Sequence, residues 1–126
     1  MSSLAILILT KNEEDNIVDV VENAKKCTPE VLVIDSGSTD KTVELAQAHG
    51  AKVCFRAWTD DFAAQRNFAL EQTTADWVLY LDADERLSDE LIADIKRVIE
   101  NTPMDTQYAI TRKSVAFGVT FNHGVL

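Results

Sequence analysis

A chain of 126 residues is one domain or part of one, and its 46% hydrophobic and 26% charged content is ordinary for a soluble globular protein with a real core. Its formal charge of -9 at pH 7 argues against a nucleic-acid partner, because a phosphate backbone needs clustered Lys and Arg. One phosphate-bearing ligand stays compatible with that charge, since a bound divalent cation reverses the local sign.

Short β-rich runs alternate with longer helical ones along the chain, which predicts a parallel sheet with helical crossovers. The run Leu4 to Leu9 is continuously apolar, as in a strand covered on both faces. It is too short for a membrane span and lacks a basic flank, so a cytoplasmic chain is expected. After Asn12, the spacing of Ile17, Val20, Val21 and Ala24 predicts a helix that stops before Pro29. Val31 to Ile34 is the second strand, and the polar cluster Asp35 to Asp40 supplies a turn and an N-cap. The next helix carries Val43, Leu45, Ala46 and Ala48 and closes at Gly50. Val53 to Phe55 is a third strand, and Phe62 to Gln72 a third helix with Phe62, Ala69 and Leu70 turned inward. Trp77 to Leu81 is the fourth strand. Ser88 caps a fourth helix with Leu91, Ile92, Ile95, Val98 and Ile99 on its core face.

Tyr108 to Arg112 reads as a further strand. Val115 to Leu126 is apolar and Gly-punctuated with no closing element after it. A truncated domain with an uncovered sheet edge, open to self-association, is the expectation; a natural tail is the alternative. Cys27 and Cys54 have no metal or redox spacing and read as buried, reduced thiols. Trp77 reads as core, and Trp58, in a polar loop, as lid or anchor. Glu13, Glu14 and Asp15 suit the first turn of a helix, and His49 a last turn.

In open parallel sheets, ligands bind outside the carboxyl ends of the strands, where strand order reverses. The residues to inspect are therefore Thr10 to Glu13, Asp35 to Ser38, and Asp82 to Asp84. Taken alone, Asp35 fits a turn cap, and Asp82 and Asp84 fit a turn before a helix. Two carboxylates one residue apart at a strand end also suit a hard divalent cation and a ribose hydroxyl. Neither a Gly-x-Gly-x-x-Gly nor a Gly-x-x-x-x-Gly-Lys-Ser/Thr loop occurs, so side chains and metal must hold any nucleotide.

Four segments together resemble family 2 glycosyltransferases with the GT-A fold: Leu7 to Glu14, Val33 to Thr42, Gln65-Arg66-Asn67 and Leu81 to Glu85. Within that family, Lys-Asn-Glu-Glu and Asp-Ala-Asp-Glu-Arg are most similar to bacterial lipopolysaccharide-core glucosyltransferases. The resemblance implies an α/β fold, a mainly parallel sheet flanked by helices, as the Rossmann-like nucleotide-binding half of a GT-A domain spanning residues 1–126. It places Thr10, Asn12 and Glu13 around the base and ribose. It makes Asp35 the acceptor for a uracil N–H, Arg66 a nucleotide contact, Asp82 a ribose neighbour and Asp84 the ligand of Mg²⁺ or Mn²⁺. For Arg66, a solvated helix face or an ion pair to Asp60 or Asp61 is the alternative.

The implied reaction is an inverting displacement that moves a sugar from a nucleotide-sugar donor, a UDP-sugar, to a glycan or lipid-linked acceptor such as a lipopolysaccharide core. The general base is expected beyond Leu126, so these residues alone should not turn over. Membrane-surface association is expected through that missing part, at the inner face of the membrane. A nucleotide-binding remnant without catalysis is one alternative. A receiver-like phospho-acceptor or a dehalogenase-type phosphatase places its acids after other strands than this sequence does.

Overall fold

The computed structural model describes residues 3–101, 119–121 and 124–125. Its elements follow in the order β1 (Leu4–Thr10), α1 (Ile17–Lys25), β2 (Glu30–Asp35), α2 (Thr42–Ala48), β3 (Lys52–Phe55), α3 (Phe62–Glu71), β4 (Trp77–Asp82), α4 (Asp89–Asn101), β5 (Val119–Phe121) and β6 (Gly124–Val125). They build a six-stranded sheet in the order β3-β2-β1-β4-β5-β6. The first four strands run parallel, and β5 and β6 add antiparallel beside β4.

Side chains alternate across a strand, so β1 feeds two cores. Ile6 and Ile8 join the core under α1, α2 and α4, while Ala5 and Leu7 join the one under α3. The split follows from chain direction. Crossovers of one hand that step from β1 to β2 to β3 keep α1 and α2 on one face. The step back across the sheet from β3 to β4 then carries α3 to the other face. Helix α1 forms because Ile17, Val20, Val21 and Ala24 make a single stripe, all fully buried. The larger three contribute roughly 2 kcal/mol each in burial. The Leu91 N–H donates to Ser88 Oγ at 3.1 Å, which starts α4. Ser88→Ala is therefore expected to lower stability by about 1 kcal/mol, seen as an earlier midpoint in urea unfolding.

One expectation needs correction. Phe62 is 69% exposed rather than turned inward. It is the first residue of α3, and its ring meets Trp58. Two short strands extend the sheet beside β4: Val119 pairs with Leu79 and Phe121 with Trp77, and β6 folds back on β5. A β-prone, apolar segment satisfies the N–H and C=O groups that the β4 edge would otherwise expose. Pairing stops at Leu79, so the end of β4 that carries Asp82 has no strand on that side among the described residues. The expected strand at 108–112 lies outside the described residues. Both cysteines are free thiols as expected; Cys27 is buried, while Cys54 is only half-buried.

Candidate donor-nucleotide site

The carboxyl ends of β2, β1 and β4 lie side by side, with Thr10 beside Asp35 and Leu9 beside Asp82. Strand order reverses between β1 and β4, so the crevice expected of such sheets opens at these residues. All three acid-bearing strand ends thus share one edge.

Their side chains do different things. Asp35 is 2% exposed, and its carboxylate accepts four hydrogen bonds, from Thr10 Oγ1 (2.8 Å), Ser38 Oγ (2.6 Å), Ser38 N–H (2.8 Å) and Gly37 N–H (3.0 Å). A carboxylate has about four acceptor positions, so these fill it. Burial pushes the Asp35 carboxyl up, but the hydrogen bonds from Ser38, Thr10 and Gly37 outweigh it and hold the group below the ordinary carboxylate value. Gly37 sits at φ 110°, a conformation that side chains resist, and this lets its N–H turn back to Asp35.

The loops after β1 and β2 are knitted together. Asn12, at φ 55°, donates its N–H to Ser38 Oγ at 2.7 Å and accepts from Thr39 N–H at 2.8 Å through Oδ1. The Glu13 N–H donates to the buried Thr42 Oγ1 at 2.8 Å, and the Glu14 N–H to Asp40 Oδ2 at 3.2 Å. Asp40 in turn accepts from the Thr42 N–H at 2.9 Å and from its hydroxyl. Most of the nucleotide-facing residues read from the sequence thus spend side-chain or main-chain groups on holding two loops in one shape.

Open space lies beside these strand ends on the α3 face. A cleft of about 290 Å³ is lined by Leu9, Thr10, Lys11, Ser36, Trp58, Phe62 and Gln65. Gln65 is 1% exposed; its Oε1 accepts from Arg56 at 2.9 Å, and its Nε2 donates to Ser36 Oγ at 3.5 Å. Asp61 caps α3 by accepting from the Ala64 N–H at 3.0 Å. Arg66 makes no ion pair with Asp60 or Asp61 among the described residues; its guanidinium lies over the Tyr80 ring, 5.1 Å from the centroid. By strand alternation Tyr80, Asp82 and Leu9 face this same side, so Asp82 adjoins the cleft.

The turn after β4 is braced. Glu85 Oε1 accepts from the Asp82 N–H at 3.1 Å, and Arg86 Nη1 donates to the carbonyls of Ala83 and Glu85 at 2.7 Å each. The exposed carboxylates of Asp82 and Asp84 make no hydrogen bond or ion pair among the described residues. No cluster of three or more His, Cys, Asp or Glu is formed among the described residues. This donor set does not make a closed protein cage. It does fit a hard cation of the Mg²⁺ or Mn²⁺ kind, held by one or two carboxylates and completed by phosphate oxygens and water.

Sequence reading placed Ser36 in the inspected turn after β2 and Gln65 in a motif without giving either a role, and it misplaced Phe62. Gln65 had a usable signal: it lies four residues before Ala69, on the buried stripe of α3, where a polar side chain needs a reason.

Residues 5–123 match the family described as Glycosyl transferase family 2. A glycosyltransferase of Rickettsia typhi is 39% identical over 109 residues, covering 86% of this chain and 37% of that protein. The lipopolysaccharide core biosynthesis glycosyltransferase LpsC of Rhizobium meliloti is 36% identical over 93 residues, covering 70% of this chain and 34% of that protein. Among solved structures, glucosyl-3-phosphoglycerate synthase from Mycobacterium tuberculosis, in complex with Mn²⁺, UDP and glucosyl-3-phosphoglycerate, matches with a TM-score of 0.59 and 26% identity. That match covers 66% of this chain and 34% of the synthase. The chain thus spans little more than a third of the length of these relatives.

Proposed function

The chain belongs to glycosyl transferase family 2, and from that footing we propose that residues 1–126 are the donor-binding part of a GT-A domain that takes a UDP-sugar. The observation that carries this reading is the shared edge, where a preorganised cleft on the α3 face adjoins Asp82 and the unengaged Asp84 carboxylate follows it. The synthase complex, which holds UDP with Mn²⁺, supports the choice of nucleotide and cation. Similarity to LpsC supports a lipopolysaccharide-core acceptor, and similarity to a glucosyl-3-phosphoglycerate synthase supports transfer of a hexose. No helix among the described residues is long and apolar enough to cross a membrane. The proposed place of work is the cytoplasm, at the inner face of the membrane.

Each group has a task in this reading. Asp84 would hold the cation, and Asp82 would face the ribose. Arg66, already over Tyr80, would bring a fixed positive charge toward the nucleotide. Thr10, Asn12 and Glu13 would present the two knitted loops to base and ribose. For Asp35 to read a uracil N–H, the Thr10 or Ser38 hydroxyl has to turn away and yield its acceptor position. A divalent cation at Asp84 supplies stabilisation of the charge on the departing diphosphate, worth several kcal/mol. In the inverting displacement, the acceptor oxygen bonds to the anomeric carbon as the bond to the diphosphate oxygen breaks. The acceptor proton passes to a carboxylate base that is not assigned within residues 1–126.

Equilibrium dialysis of labelled UDP-glucose with Mn²⁺ tests the donor site. Saturable uptake displaced by unlabelled UDP is expected. Uptake that does not saturate would overturn the reading.

A further inference from the structure

We propose that Asn23 and Arg86 are positioning residues for the cation, fastening the turn that carries Asp84 to helix α1. This rests on the donor-binding reading above and gives a part in it to two side chains outside the strand-end acids.

A cation held by one or two carboxylates and completed by phosphate and water depends on where those carboxylates are fixed. Asp84 is exposed, but Ala83 and Leu87 on either side of it are each 3% exposed and join the core under α1 and α4. Polar contacts then fix the backbone between them. Asn23, half-buried on α1, meets Leu87 with both ends of its amide, across 64 positions of the chain. Its Oδ1 accepts from the Leu87 N–H at 2.7 Å, and its Nδ2 donates to the Leu87 carbonyl at 2.9 Å. An amide suits this because it carries a donor and an acceptor side by side.

Arg86 works on the other half of the turn. One nitrogen, Nη1, serves the carbonyls of both neighbours of Asp84, Ala83 and Glu85, at 2.7 Å each. Its Nη2 reaches the Asn16 carbonyl, just before α1, at 3.4 Å. A planar guanidinium can hold several carbonyls in fixed directions, which a single ammonium does less well. The same helix is tied to the loops given to base and ribose. The Ile17 N–H donates to the Glu13 carbonyl at 2.8 Å, and the Glu13 N–H donates to Thr42 Oγ1. Helix α1 is thus a common support for the nucleotide loops and the metal-bearing turn.

Two titrations of the 126-residue chain test the assignment. Calorimetry reads UDP affinity with Mn²⁺ and in chelator, and electron paramagnetic resonance reads Mn²⁺ binding in the presence of UDP. Asn23→Leu and Arg86→Lys should each weaken Mn²⁺ about tenfold, with UDP affinity in chelator within about twofold of wild type. Arg86→Lys keeps the charge, so it decides the case if Asn23→Leu folds poorly. Val21→Ala truncates a buried side chain on the same helix and should lower the melting temperature while leaving the Mn²⁺ response intact. Wild-type Mn²⁺ affinity in the variants, or equal loss of UDP in chelator and in Mn²⁺, would overturn the positioning role while the donor reading stands. Loss of the Mn²⁺ response in Val21→Ala as well would trace the effect to stability and overturn it too. If wild type binds UDP no better with Mn²⁺ than without, the cation and this assignment fall together.

Discussion

Asp35→Asn is expected to destabilise the fold by about 2–4 kcal/mol, a large share of the marginal stability of a small domain. The Asp35 carboxylate serves two hydroxyl and two backbone donors while almost fully buried. An amide offers one acceptor oxygen, which can keep the Gly37 and Ser38 N–H groups, and turns an NH₂ toward the Thr10 and Ser38 hydroxyls, which lose their charged acceptor. The pH dependence has a definite sign. The folded carboxyl titrates below the ordinary value of 3.8, because hydrogen bonds from Ser38, Thr10 and Gly37 outweigh the upward push of burial. Its stabilisation is therefore complete above that value and fades as pH falls through the depressed one. Wild type should lose stability on that acid limb, and Asp35→Asn should lose less of it. Urea unfolding from neutral to acid pH measures both, and equal midpoints for the two proteins at neutral pH would refute the four-bond account.

The second large effect concerns Asp84. Asp84→Ala should reduce UDP affinity in Mn²⁺ by about tenfold or more, down to the level wild type shows in chelator. Without metal the variant should bind UDP no worse than wild type, since one of two exposed carboxylates facing the diphosphate is gone from a chain of charge -9. A site that merely unfolded would weaken binding in both conditions. Calorimetric titrations of both proteins, with and without chelator, separate the two outcomes.

The framework was legible because its determinants are local. Continuous apolar runs at Leu4 to Leu9 and Val31 to Ile34 gave buried strands, and the stripe Ile17, Val20, Val21 and Ala24 gave α1. The edge on which Thr10, Asp35 and Asp82 gather was legible too, because parallel crossovers bring strand carboxyl ends together. What those side chains bond to was not. Asp35 fills its acceptor positions with donors from three residues, and periodicity says nothing of such partners. Phe62 was misread because an apolar residue opening a helix looks inward-facing, and its contact with the Trp58 ring is not visible in the helical spacing. The strands at Val119–Phe121 and Gly124–Val125 were hidden by their shortness and by pairing that depends on the distant β4 edge.

Wild-type binding of UDP, titrated calorimetrically with Mn²⁺ and again in excess chelator, tests the central claim most directly. With metal, UDP should bind at one site per chain; with chelator, affinity should drop about tenfold or more as the bare carboxylates of Asp82 and Asp84 repel the diphosphate. Equal affinity in the two conditions would contradict a cation held at Asp84 against the donor diphosphate.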